Sequence, residues 1–189
     1  MEKLIAELTR LYLFEGQPGN DGPVTPAMLD QQLRGAAALA LPLVSTAGTV
    51  RTIVLHFDGA RAGKGEQQWE ALCGVANAMQ HQLDLPAPAV SITGDDGYAL
   101  WLSLLTPVPA AQARRFAALL RAAHAPDAPM AAGAPVDADA PELLPPCVHP
   151  ASGKWAAFIH PGMGSSFADE PRLEMAPPLA AQALSLIHI

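Results

Sequence analysis

The stretch AVSITGDDGYALWLSL, residues 89–104, decides how the chain is read. At its centre, Gly94-Asp95-Asp96-Gly97 is turn chemistry, because glycine accepts positive φ and aspartate bonds its own nearby backbone. Beyond the turn, Tyr98, Leu100, Leu102 and Leu104 alternate with Ala99, Trp101 and Ser103. That period of two gives a strand two different faces. Residues 89–93 read as extended too, since Pro86 and Pro88 stop any helix that precedes them. Two strands about a tight turn predict a β-hairpin.

Working upstream, Trp69, Leu72, Cys73, Ala76, Met79 and Leu83 recur at three and four and predict a helix. A small basic loop, 59–65, carries Arg61 and Lys64 ahead of it. Before that loop, TVRTIVLHF (49–57) is rich in β-branched residues and predicts a buried strand. An apolar run at 38–44 and a turn at 45–48 predict that this strand is entered through a hairpin. Downstream, Pro109 opens a second helix to 123, with Ala113, Phe116, Ala117 and Leu120 on one stripe and Arg114, Arg115 and Arg121 mostly off it. A strand at 154–159 closes the series. Strand, helix, strand, strand, helix, strand predicts an α+β fold with an RRM/ferredoxin-like β-α-β-β-α-β sheet, extended by the hairpin. Its first and third strands would lie centrally, with both helices on one face and the other face left for function.

Two shorter helices precede this unit. Leu4, Ile5, Leu8, Leu11 and Tyr12 make a stripe within 2–14, and Thr25-Pro26 offers an N-cap followed by proline at the first helical position for 26–33. The expected organisation is an N-terminal helical segment (1–34), a core (38–123), a flexible Ala/Pro/Asp-rich linker (125–141) and a closing strand with a C-terminal segment (142–183). The last six residues, LSLIHI (184–189), match the translation of a sequencing-adapter end. They are expected to be an artefact of a truncated reading frame.

Half of the 189 residues are apolar and 15% are charged, which favours a folded chain over a disordered one. A formal charge of −7 with 11 basic residues argues against a global, sequence-independent grip on phosphates and leaves only a local basic face. Two cysteines without C-x-x-C spacing make no disulfide framework. The N-terminus lacks the pattern of a signal peptide, and no apolar run reaches the roughly 18 to 20 residues of a membrane span. A cytoplasmic protein without a membrane partner is expected.

His56-Phe57-Asp58 ends the first strand, with residues 56 and 58 on one face and Phe57 on the other. A histidine and a carboxylate so placed could share a metal, although hard Mg²⁺ prefers several oxygen ligands. The bland alternative is a half-buried strand histidine and a turn-capping Asp58.

With that strand end, SITGDDGYALWL (91–102) resembles the archaeo-eukaryotic primase-polymerase superfamily, particularly bacterial members with a Gly-Tyr-His-Leu-Trp-like strand. The resemblance spans about residues 38–123, with 154–159 as a closing strand. Asp58, Ser91, Gly97, Tyr98, Leu100 and Trp101 match its pattern. His56 stands where the family's first metal-binding Asp would be, Ala99 stands where the strand histidine would be, and no clear third carboxylate follows. The resemblance therefore implies a degenerate nucleotide- or nucleic-acid-binding domain in a replication or mobile-element context. If activity survives, it implies a nucleotidyltransferase using His56 and Asp58 with Mg²⁺ or Mn²⁺. Ser91, Tyr98 and Trp101, with Arg61, Lys64, Arg114 and Arg115 offsetting phosphate charge, are its candidate contacts to nucleotide or single-stranded DNA. Trp101 would offer a stacking platform of the kind single-strand binders use. A non-enzymatic scaffold that binds protein through the same sheet is the rival reading.

Cys147, His149 and His160 could supply three ligands to Zn²⁺, in a spacing that matches no common finger. Both histidines precede proline, which also suits strand-end turns. The glycine-rich Gly162-x-Gly164-Ser165-Ser166 could bend around a phosphate but lacks the lysine of a phosphate-binding loop. No nucleophile elbow is present.

Overall fold

A computed structural model describes residues 1–19, 22–126 and 141–177. Most of the expected linker at 125–141, and all of LSLIHI at 184–189, lie outside the described residues. The fold is α+β. Helix α1 (Glu2–Tyr12) is followed by a small antiparallel pair, β1 (Pro18–Gly19) and β2 (Gly22–Pro23), then by α2 (Pro26–Leu33) and the short β3 (Ala40–Leu41). The predicted unit follows as β4 (Thr49–Asp58), α3 (Gly65–His81), β5 (Ala89–Ile92), β6 (Gly97–Pro109) and α4 (Ala110–His124). After the undescribed stretch come β7 (Glu142–Leu143), β8 (Cys147–Val148) and β9 (Trp155–Ile159).

β4, β6, β5, β9 and β8 lie side by side in that order, and every neighbouring pair is antiparallel. The hairpin forms where its turn chemistry placed it. Thr93 N–H and its hydroxyl both donate to the Gly97 carbonyl, at 2.9 and 3.0 Å, and Gly94 takes φ +77. Glycine is needed at 97 for a second reason: a Cβ there would lie 2.2 Å from the Phe57 carbonyl oxygen.

The order corrects the expectation that the first and third strands are central. β4 is an edge, β5 is in the middle, and β9 pairs with β5. All five residues of β9 and all four of β5 are buried, and a strand buried on both faces belongs where both faces are covered. The N-terminal hairpin is corrected too. Its turn closes through Ser45 N–H to the Thr49 carbonyl, but beyond it only Val44 meets β4, at Val50, and β3 pairs with β7 instead.

The sheet is also covered on both sides, against the expectation of one face left open. Val50, Ile53, Leu55 and Phe57 of β4, with Tyr98, Leu100 and Leu102 of β6, pack under α3 and α4. The buried stripe of α3 runs through Gln68, Leu72, Val75 and Met79, with Trp69 and Ala76 partly buried against the same core, while Cys73 is half-buried and Leu83 stays 44% exposed. On the other face, Val54, Ala89, Trp101 and Phe158 pack against Leu4, Leu8, Leu11 and Tyr12 of α1 and Leu29 and Leu33 of α2. Among the described residues, no helix is long and apolar enough to cross a membrane.

Candidate functional site

Where α1 and α2 stop covering the sheet, a cleft of about 580 Å³ remains over the turn end of β4, β5 and β6. Register builds its floor. His56 is opposite Ala99, Ala99 is opposite Ser91, and Asp58 is opposite Gly97, so alternate residues of three strands share one surface. His56, Asp58, Ser91, Ala99 and Trp101 all line the cleft, as do Arg61 and Lys64 from the β4–α3 loop and Asp95 and Asp96 from the hairpin turn. Pro141, Glu142, Leu143 and Pro145 form a strap along one wall.

The strap is fixed by a buried clamp. Gln32 of α2 is fully buried, its Nε2–H donates to the Leu144 carbonyl at 2.7 Å and to that of Pro146 at 3.3 Å, and its Oε1 accepts Leu39 N–H at 2.8 Å. Pairing of β7 with β3 adds backbone support. Together these hold Glu142 Oε2 at 2.9 Å from His56 Nε2. Burial alone would push the His56 pKa down, but the hydrogen bond and charge of Glu142, with the charge of Asp58, outweigh it, and the net shift is upward. Asp58 is also shifted up, chiefly by burial and further by the charges of Asp96 and Glu142. Arg61 pairs with Asp95, and its backbone N–H donates to Asp96 Oδ1 at 2.6 Å, which ties the basic loop to the hairpin turn. Behind the sheet, Arg121 of α4 is buried, donates to the His56 carbonyl and lies 5.3 Å from the centre of the Phe57 ring.

The cleft thus gathers His56, Asp58, Ser91, Arg61 and Lys64, and it does not gather the other candidates in the roles expected of them. Tyr98 points to the opposite face, fully buried, where its hydroxyl donates to the Gly164 carbonyl at 2.8 Å. Arg114 and Arg115 are exposed on α4, whose buried side packs on that opposite face. Trp101 borders the cleft but is 1% exposed, edge-on to Tyr12 and Phe158 at centroid distances of 5.4 and 5.8 Å. It presents no open ring for a base, because the N-terminal helix covers it.

The three residues of the zinc reading, Cys147, His149 and His160, have these surroundings. Cys147 is fully buried, and burial first, then the charge of Glu142, pushes its thiol up to about 12, away from the thiolate a metal takes. His149 reaches the rim of the cleft, where its Nδ1 accepts Ala151 N–H at 3.3 Å. His160 is exposed, and its Nδ1 accepts Gly162 N–H at 3.1 Å, capping the 3₁₀ turn Pro161–Phe167. Gly164 of that turn serves packing: a Cβ there would fall 1.9 Å from the Trp69 ring. Among the described residues, no group of three or more His, Cys, Asp or Glu is disposed to hold a metal ion. His56, Asp58 and Glu142 therefore do not fit a Mg²⁺ or Mn²⁺ centre, since one member is a nitrogen donor already bonded to another.

Glu142, Gln32 and Arg121 were missed as site residues in the sequence. The spacing 110, 113, 117, 121 would have put Arg121 on the buried stripe of α4. Nothing local marks Glu142, which reaches His56 only through a pairing between segments about a hundred residues apart.

Compared with known proteins, the chain matches no family model and no curated protein.

Proposed function

We propose that the chain is a primase-polymerase-like domain that binds a nucleotide, or the end of a strand, in this cleft without assembling a metal-dependent phosphodiester-forming centre. One observation carries the reading. His56, Asp58, Ser91 and Ala99, distributed over three strands, border a single cleft together with Arg61 and Lys64. About 580 Å³ lies within the range of small-ligand sites. The likeness to RRM-type sheets rests on β4, β6 and β5 with the α3 crossover, and on the motif in 91–102. The buried Trp101 and the covered sheet favour a pocket for one nucleotide over a platform for a single strand. The donor set supports the absence of catalysis in this reading, since Glu142 engages His56 and Ala99 contributes no functional group.

Isothermal titration with dATP, dCTP, dGTP and dTTP in the presence of Mg²⁺ tests the binding. At least one should bind, and Asp58→Ala should alter its affinity; absence of binding by all four would sink the reading. A primer-synthesis assay in Mg²⁺ or Mn²⁺ should be silent. Synthesis that disappears in Asp58→Ala would instead establish the enzyme, with Glu142 as the carboxylate that sequence reading did not find.

A further inference from the structure

On the helix-covered side of the sheet, past the end of α3, an open apolar groove of about 280 Å³ remains. Ile53, Met79, Leu102 and Ala113 form its buried floor. Its half-buried sides include Leu85, from the segment after α3, and Phe116 of α4. Those two sides are opposed walls. The segment 85–88 leads into β5, which flanks β6 on one side, while α4 packs over β4, which flanks β6 on the other.

The exposed leucines of the described chain gather at this groove. Leu83, 44% exposed, follows Met79 by four residues. Leu119, 61% exposed, follows Phe116 by three on α4 and so shares its side of the helix. Leu105, 96% exposed, follows Leu104, another lining residue, in a bulge where 104–107 of β6 oppose Arg51 alone on β4. Apolar surface left in one place rather than scattered marks an interaction surface. The charges beside it differ in sign from wall to wall. Asp84, exposed, sits between Leu83 and Leu85, and Arg115, exposed, precedes Phe116 on a helix that contains no acidic residue. Among the described residues neither charge is in an ion pair. Each wall therefore carries an exposed leucine next to an unpaired charge, and the two charges are opposite.

We propose that a second copy of the chain covers this groove, with the two-fold axis running along it. Such an axis sets each wall against the other wall of the partner. Arg115 then meets the partner's Asp84 and Leu119 meets the partner's Leu83, and symmetry repeats both contacts. A foreign protein would have to bring this pattern with it, whereas the chain already holds both halves. Dimerisation through this side does not depend on what the cleft binds, because the cleft opens on the other face of the sheet.

Sedimentation equilibrium of the full chain, at concentrations up to about 200 μM, tests the pairing, since an interface this small holds in the micromolar range. The wild type should dimerise. Leu119→Glu, a change at a side chain the fold leaves exposed, should weaken dimerisation about a hundredfold, because each dimer loses two apolar contacts. Arg115→Glu and Asp84→Lys should each be monomeric alone. An equimolar mixture of those two variants should dimerise again, since every charged pair in the mixed dimer is once more of opposite sign. A monomeric wild type would overturn the proposal. So would a dimer that survives either Leu119→Glu or Arg115→Glu, which would put the contact on another surface, and so would a mixture of folded variants that stays monomeric. Should Asp84→Lys fold poorly at its positive φ of 53, the outcome with Leu119→Glu and Arg115→Glu decides.

Discussion

The two faces of β6 make opposite use of neighbouring residues. Tyr98, Leu100 and Leu102 lie under α3 and α4 in a continuous apolar layer. Gly97, Ala99 and Trp101 face the other way, where cover by the N-terminal helices runs out and a cleft begins. On β4 the same division separates Phe57, fully buried, from His56 and Asp58, which are half-buried and border that cleft. One face is filled to make the fold, and the other is filled only far enough to leave a site. Stability should accordingly be concentrated on the first and ligand recognition on the second.

The largest effect expected from this contrast compares residues adjacent in the chain. Phe57→Ala should cost about 3 to 5 kcal/mol in urea unfolding, because it leaves a void beneath two helices and removes the ring beside Arg121. His56→Ala should cost no more than about 1 kcal/mol, the usual scale of a partly exposed ion pair, while changing nucleotide affinity. Equal losses would show that the two faces are energetically alike and would break the comparison.

A smaller effect concerns the strap. Gln32→Leu keeps the volume roughly constant but strands the Leu144 and Pro146 carbonyls and the Leu39 N–H. A cost of about 1 to 3 kcal/mol should follow. Hydrogen exchange should rise at 141–146 more than in β4 to β6, because the clamp holds the wall of the cleft and not its floor. Exchange that rises uniformly would mean the strap is no separate element.

Much of the fold was legible because its signals are local. The Gly94–Gly97 turn, the alternation through 98–104 and the periodicity of α3 and α4 lie within single windows of sequence, and each produced its element. Strand order was not legible. Nothing in WAAFI says that β9 joins β5 rather than β4, and nothing in the apolar run 38–44 says that Ala40 and Leu41 will wait for Glu142 and Leu143. The site divides in the same way. His56 and Asp58 could be placed on one face by counting twos and Ser91 entered through the family resemblance, whereas Glu142 could not be found, because it arrives through long-range pairing and a buried glutamine. Trp101 shared the right face, but its burial depended on where α1 would lie.

The smallest expected effect is in the pH dependence of stability, and its sign distinguishes a cleft wall that merely closes space from one that sets charge. His56 in the folded chain has a pKa above the ordinary imidazole range because Glu142 and Asp58 outweigh its burial. A folded value above the unfolded one means that the protonated pair stabilises the fold fully below about pH 6.5. That contribution fades as pH rises through the higher folded value. In Glu142→Gln the hydrogen-bonded carboxylate charge is gone and burial, the largest single influence, pulls the other way. The folded pKa should then fall, and the contribution of His56 should be lost on acidification instead. Denaturant unfolding of the wild type and Glu142→Gln between pH 5.5 and 8, with the His56 ring titrated by NMR, should therefore give a stability difference that shrinks as pH rises. A difference independent of pH would reduce Glu142 to a spacer, and the contrast between the two faces would then be one of packing alone.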